Sequence, residues 1–419
     1  MTVSRFDIAM AGESLAAQMT ATLLAKQGQR VLQLSAPGHS DPWQPASLFL
    51  DKLLDTLGGQ ACRCAKPPFQ VLAPRARATV HPDLPLADEL AREFGRESAS
   101  VTALLDDLEQ LGRRLEETLW EHGGLPDEGL RECATWRWQC LRRRLPWRKL
   151  SASLAKRVQA MPVPAAEWLR DLFQGLALQP LAALTVADGA LLWAHARRRP
   201  GIDAEQLQQL LRQRFEQFHG VATNLASLAA LEHRDGQWVG RRHDGGSFQA
   251  GQLILGDLDL ELPGHGVPLP HQPLTPPQHL LTSSLAGQLS PLLAQRVIVG
   301  GPLPMRLVLD HAAPGVAAHI SASVIADEAQ IRSQLEPVLP FARYTLEHQH
   351  YGRSSVRLAD PSSTALPLGK VPFRLGSQLW CADETRLLPQ LGSGGAALLA
   401  WTLVRQLDTG SRKRQHRVQ

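Results

Sequence analysis

The stretch "DIAMAGESLAAQMTATLLAKQGQRVLQLS", Asp7 to Ser35, decides the fold. Phe6 to Ala11 reads as a short buried strand. Ser14 to Gln27 reads as a helix, with apolar or small residues at Leu15, Ala16, Met19, Leu23 and Leu24. Gly28 closes that helix, and Arg30 to Leu34 forms a second strand. Two strands joined through one helix should be parallel and right-handed. Pro37, Gly38, Pro42 and Pro45 then end the unit. A strand, a glycine turn, a helix and a strand in this order make a βαβ unit of the dinucleotide-binding kind.

The chain has 419 residues, enough for two domains or one with a large insertion. Hydrophobic residues make up 44% and charged residues 20%, which suits an ordinary α/β protein and argues against disorder. The net charge of +4 is only mildly basic, and by itself it gives no argument for nucleic acid. Leu84 to Leu211 is mostly helical in pattern, as in "VTALLDDLEQLGRRLEETLWEHG" and "GIDAEQLQQLLRQRFEQFHG". The segment "ALEHRDGQWVGRRHDGGSFQAGQLILG" follows with two turn signals, Asp235-Gly236 and Asp244-Gly245-Gly246, and ends in the apolar strand Gln252 to Leu255. It is a β-meander returning to a sheet. Residues 262–280, rich in Pro and Gly, look like a crossing linker. Beyond it "RVIVGG", "MRLVLDHA", "AAHISASVI" and "RYTLEHQHYG" predict a second, antiparallel sheet, interrupted by one helix at Asp327 to Leu335. The last ordered stretch is a strand, a loop and a helix entered through Gly392-Ser393-Gly394-Gly395, a helix start that suits a phosphate.

In this order Asp7, Gly12, "LLAKQGQRVLQL", "FQAGQLILG" and "LWCADETR…GSGGAALLAWTLVRQL" resemble the FAD-dependent amine oxidase and phytoene desaturase superfamily, which includes the Rab GDP-dissociation inhibitors. The resemblance covers both ends and the middle meander, and it is weakest between about 40 and 195. It implies an α/β fold: a Rossmann-like FAD/NAD(P)-binding domain with a second α+β substrate-type domain containing an antiparallel sheet. The first would comprise residues 1–75, 200–262 and 372–410, the second 76–199 and 263–371, with 411–419 a basic, disordered tail.

The resemblance assigns cofactor positions one by one. The first motif glycine is Gly12; the second, where backbone meets the pyrophosphate, is Ser14; the third, where helix packs on strand, is Ala17. The acidic ribose ligand is replaced by Ser35, and the family's Gly-Gly-Arg segment is absent from "APGHSDPWQPASL". The closing Gly-Asp becomes Ala382-Asp383, so that Asp383 would still meet the ribityl chain, with Gly394 and Gly395 at the phosphate-facing helix start. Glu13 adds a carboxylate where phosphate charge is expected; like charges a few ångströms apart cost on the order of 1 kcal/mol or more.

Other constellations carry less. "GESLA" resembles a nucleophile elbow, but hydrolase elbows follow several earlier strands and this one follows the first. His348 and His350 alternate on one strand face without an evident third metal ligand. Cys62, Cys64, Cys133, Cys140 and Cys381 are scattered, with no zinc spacing, as expected of a reduced cytoplasmic protein. No signal peptide or membrane span is evident.

"TWRWQCLRRRLPWRKL", Thr135 to Leu150, interleaves Trp136, Trp138 and Trp147 with Arg137, Arg142, Arg143, Arg144, Arg148 and Lys149. It could bind an anionic membrane surface as a peripheral contact, an acidic partner or, less favoured, nucleic acid. The plainer reading sends the Trp rings into the core and pairs the Arg residues with the acidic helix Asp106 to Glu121.

Two functions remain open. The accumulated losses favour a non-catalytic protein that binds a hydrophobic small molecule or a protein partner, with no cofactor. The alternative is a divergent FAD-dependent oxidoreductase, a dehydrogenase or monooxygenase acting on a small or lipidic substrate. No residue in the substrate half receives a catalytic role.

Overall fold

The computed structural model describes residues 3–12, 14–35, 43, 46–82, 84–126, 130–256, 278–286, 290, 292–309, 316–322, 328–340, 343–351, 371 and 373–418. Glu13, most of the Pro-rich segment after the second strand, and most of the linker expected over 262–280 lie outside them.

The chain opens with β1 (Val3–Ala11), α1 (Leu15–Lys26) and β2 (Val31–Ser35), the predicted unit. Gly12 turns the chain at φ +110°, a conformation that an L side chain rarely adopts. Next come α2 (Leu48–Leu57), β3 (Arg63–Cys64), β4 (Phe69–Ala73) and β5 (Ala76–Val80). A helical block follows: α3 (Leu86–Phe94), α4 (Ser98–His122), α5 (Leu130–Arg142), α6 (Trp147–Leu150), α7 (Leu154–Gln159), α8 (Val163–Ala177) and α9 (Val186–Arg197). After β6 (Gly201–Ile202) and α10 (Ala204–Gln217) the chain returns to strands: β7 (Val221–Asn224), β8 (Leu228–Arg234), β9 (Gln237–Arg242) and β10 (Ser247–Leu255). Then come β11 (Gln278–Ala286), β12 (Arg296–Val299), β13 (Met305–Leu309), β14 (Val316–Ala322), α11 (Glu328–Leu335) and β15 (Arg343–Tyr351). The end is β16 (Leu379–Cys381), α12 (Glu384–Leu387) and α13 (Gly392–Val418). The basic end, expected to be unstructured, continues α13.

One sheet runs β7-β2-β1-β10-β9-β8, with β16 also on β10. β1 is parallel to both β2 and β10, with Ile8 opposite Val31 and Gln252. β10 changes partner along its length: Ser247–Ala250 pair antiparallel with β9, and Leu253–Leu255 pair parallel with β16. The meander turn at Asp235-Gly236 has φ +49° and +72°, the pair of left-handed residues that a two-residue hairpin requires. α1 is buried on most of its faces because α13 and α10 pack against it, which explains its small residues Ala16, Ala17, Thr20 and Ala21.

The second sheet runs β15-β11-β14-β13-β12-β4-β5. It is antiparallel except where β12 runs parallel to β4, pairing Val297 with Gln70. The hairpin β4–β5 therefore belongs to this sheet, although residues 1–75 were expected with the first. β11 continues the sheet where a linker had been expected to end. α8 covers the β4, β12 and β13 region.

Candidate functional site

Three backbone segments converge at the turn after β1. The Gly256 amide donates to Ala11 O (2.6 Å), and the Ala382 amide donates to Leu255 O (2.7 Å). Ser14 caps α1: its Oγ accepts from the Ala17 amide (3.1 Å) and donates to Ala382 O (2.7 Å). The residue that replaces the second motif glycine thus bolts the turn to the end of β16. The third motif position is compensated across the sheet. Ala17 is fully buried, and a Cβ built on Gly256 would lie 2.5 Å from its methyl, so the missing hydrogen of the helix is supplied by the strand.

The free amides at the start of α1 point at a carboxylate. Leu15 N donates to Glu384 Oε1 (3.0 Å) and Ala16 N to Oε2 (3.2 Å). Glu384 is the first residue of α12 and is buried. Burial pushes its carboxyl above the usual range, while these amides work the other way by favouring the charged form. Helix-start amides of this kind are the donors a dinucleotide pyrophosphate needs. The adjacent Asp383, to which the ribityl contact was assigned, is also buried. Ser35 ends β2, half-buried, opposite Asn224 of β7.

A second cluster meets the start of α13. The His195 ring lies against Gly394, where an added Cβ would be 2.5 Å from Nδ1. At Gly395 the same Cβ would be 3.0 Å from the Leu388 side chain. His195 Nε2 is 2.9 Å from Glu116 Oε1, and the other oxygen of Glu116 accepts from Arg198 (2.5 Å). The Leu48 amide also donates to Glu116 (2.9 Å). Burial alone would raise the Glu116 carboxyl, but His195, Arg198 and this amide outweigh it and hold it down at about 2.

Lys66 donates its ammonium to two carbonyls at the end of α9, His195 O (2.6 Å) and Arg198 O (3.1 Å). Burial, with Arg296, Arg197 and Arg198 nearby, pushes it down to about 7. Beside it a cavity of about 20 Å³ is lined by Trp43, Phe69, Leu176, Leu192, Leu391 and Gly392 together with Lys66, Arg296 and Arg306. The guanidiniums of Arg296 and Arg306 each lie 5.6 Å from the Trp43 ring, and Arg306 donates to Leu176 O (3.1 Å). Among the described residues no carboxylate pairs with Lys66 or Arg296. The cavity has room for about one water.

None of Glu384, His195, Glu116, Lys66 and Arg296 was singled out from the sequence. Lys66, Glu116 and His195 fall in the stretch that the resemblance covers least, and Arg296 lies on a strand read only as apolar. Glu384 is one residue from the position chosen, and its contact spans 369 residues.

The basic segment divides. On α5, Cys133, Trp136 and Cys140 share one helical face. Trp136 is 1% exposed, edge-on to His122 with ring centroids 5.5 Å apart, and so is core rather than surface. Trp138 and Trp147 are exposed. Arg143 pairs with Glu121, and Lys149 with Asp107 at 2.9 Å, as the plainer reading expected for some of the cations. Among the described residues no three or more His, Cys, Asp or Glu side chains are grouped to hold a metal. No helix is long and apolar enough among them to cross a membrane.

No family model and no curated protein matches the chain. Solved structures do. A putrescine oxidase bound to putrescine is 12% identical with a TM-score of 0.57, covering 97% of this chain and 100% of the other. An oxidoreductase from Methanosarcina mazei is 12% identical with a TM-score of 0.59, over 95% and 100% of the two chains. A CLA-producing fatty acid isomerase from P. acnes is 12% identical with a TM-score of 0.62, over 96% and 98%. The chain therefore shares the fold of these oxidase, oxidoreductase and isomerase structures, with its parallel and antiparallel sheets, over nearly its whole length.

Proposed function

We propose that this chain uses a flavin-enzyme fold to bind a hydrophobic ligand carrying an acidic head, without flavin. The observation that carries this reading is Glu384, whose two carboxylate oxygens take the Leu15 and Ala16 amides. A pyrophosphate and this carboxylate would compete for the same donors, and in a dry site two like charges cannot share them. Ser14 is tied to Ala382, and His195 is seated on Gly394, so both positions that the resemblance assigned to the cofactor are already in contact with this chain's own groups. On this reading the residues present do not fit FAD, and no redox step is assigned to them.

The ligand class is argued from the cavity beside α13. Apolar walls at Phe69, Leu176, Leu192 and Leu391 surround Lys66 and Arg296; among the described residues neither forms an ion pair, although the Asp51 carboxylate favours the charged Lys66 from nearby. A carboxylate or phosphate head entering there would relieve their mutual repulsion, and its apolar tail would enter by parting the walls.

A second reading, a divergent FAD-dependent oxidoreductase, is favoured by the full-length likeness to oxidases and an oxidoreductase. It requires Glu384 to swing away from α1. One preparation separates the two. Purify the protein with FAD present from lysis onward, record its visible spectrum, and follow its melting with excess FAD or with oleate. The binding reading expects no flavin band, no stabilisation by FAD, and a rise in melting temperature with oleate but not with oleyl alcohol. A stoichiometric flavin band overturns it in favour of the oxidoreductase.

A further inference from the structure

We propose that the exposed face of α5 and α6 docks on an anionic lipid surface. The phase of α5 separates its residues. Cys133, Trp136 and Cys140 turn inward, which leaves Ala134, Trp138, Leu141 and Arg142 outward. Trp138 is 58% exposed, Leu141 77% and, at the start of α6, Trp147 45%. Three large apolar side chains within ten residues stand in water although neighbouring Leu145 and Leu150 are buried, so the segment is anchored and the exposed set is not a core that failed to close.

Several cations without a carboxylate partner stand around them. Arg131, Arg137, Arg142, Arg144 and Arg148 are exposed and pair with no carboxylate among the described residues. Three acids of α4 and α5 are engaged by other cations. Glu121 holds Arg143, Asp107 holds both Lys149 and Arg157, and Glu132 holds Arg405 and approaches His122. Each exposed indole carries its own cation, Arg142 at 5.6 Å from Trp138 and Arg148 at 5.4 Å from Trp147. An indole at headgroup depth with a guanidinium against lipid phosphate uses both halves of such a pair. An acidic protein would match the charge too, but exposed Trp and Leu with interspersed Arg, each indole stacked by its own guanidinium, suit the headgroup region of a bilayer better.

Each cation at an anionic bilayer is worth about fivefold in partitioning, so removing three lowers it by about 100-fold. The test is sedimentation of the full chain with sucrose-loaded vesicles of phosphatidylcholine alone or with 30% phosphatidylserine. The expected result is sedimentation only with phosphatidylserine, weakened by 0.5 M salt. It should be lost in R142Q/R144Q/R148Q, reduced in W138A/L141A, and kept when residues 411–419 are deleted. Circular dichroism confirms that the variants fold; all the replaced side chains are exposed. The proposal is overturned by absence of sedimentation, by full sedimentation of R142Q/R144Q/R148Q, or by loss only on deleting the basic end. Binding of a single-stranded oligonucleotide without vesicle binding overturns it in favour of a nucleic-acid surface.

Discussion

Replacing Glu384 with Ala removes the acceptor of both Leu15 N and Ala16 N. A hydrogen bond to a charged group contributes about 1.5 kcal/mol or more, so the two together are worth roughly 3 kcal/mol. Against this stands the burial of the carboxylate, which raises its pKa and therefore already weighs on the folded state at neutral pH. Its removal returns part of that cost, so E384A should be destabilised, by less than roughly 3 kcal/mol. E384Q keeps one acceptor oxygen and should lose about 1 kcal/mol. The assay is urea denaturation, followed by tryptophan fluorescence, with and without pyrophosphate. In E384A the freed helix start should take the added anion, and 10 mM pyrophosphate should restore part of the lost stability while leaving the wild type unchanged. Equal stability of E384A and wild type, or equal stabilisation of both by pyrophosphate, would refute the assignment of this carboxylate to the α1 amides.

Gly256→Ala should destabilise the protein by about 1–3 kcal/mol through overpacking against Ala17, and the double variant A17G/G256A should recover much of that in the same denaturation assay. Glu116 is held at about 2, below the usual carboxylate value. Its contribution is thus complete above the unfolded pKa and is lost as pH falls towards 2, so a denaturant midpoint that drops between pH 4.5 and 2.5 in wild type should drop less in E116Q. Lys66 has the opposite consequence: with the folded value near 7 and the unfolded near 10.5, the unfolded chain binds the extra proton between them, and stability should rise from pH 7 to pH 9. That rise should be absent in K66M.

Local signals carried the parts of the fold that could be read in the sequence. β1, α1 and β2 lie within 33 residues, and helical and alternating periods mark each of them. The meander was marked by its turn residues, Asp235-Gly236 above all. The hairpin β4–β5 was missed although Phe69, Val71, Ala78 and Val80 alternate around Pro74, because its strands are short and it joins the sheet only through β4 on β12, more than 200 residues away. Trp136 and Trp138 look alike in the sequence, and only the phase of α5 against His122 separates core from surface. The cofactor-site reading weighed what had been lost from a motif, residue by residue. It could not show what had moved in, since Glu384 and Gly256 reach the α1 turn, and His195 the start of α13, from distant parts of the chain.

On the proposed reading the amides opening α1 belong to Glu384 and not to a dinucleotide. The most direct measurement is a crystal structure of the wild-type protein grown with millimolar FAD. Both Glu384 oxygens should lie within about 3 Å of Leu15 N and Ala16 N, with no phosphate density between them. A pyrophosphate on those two amides, with Glu384 turned aside, would contradict it.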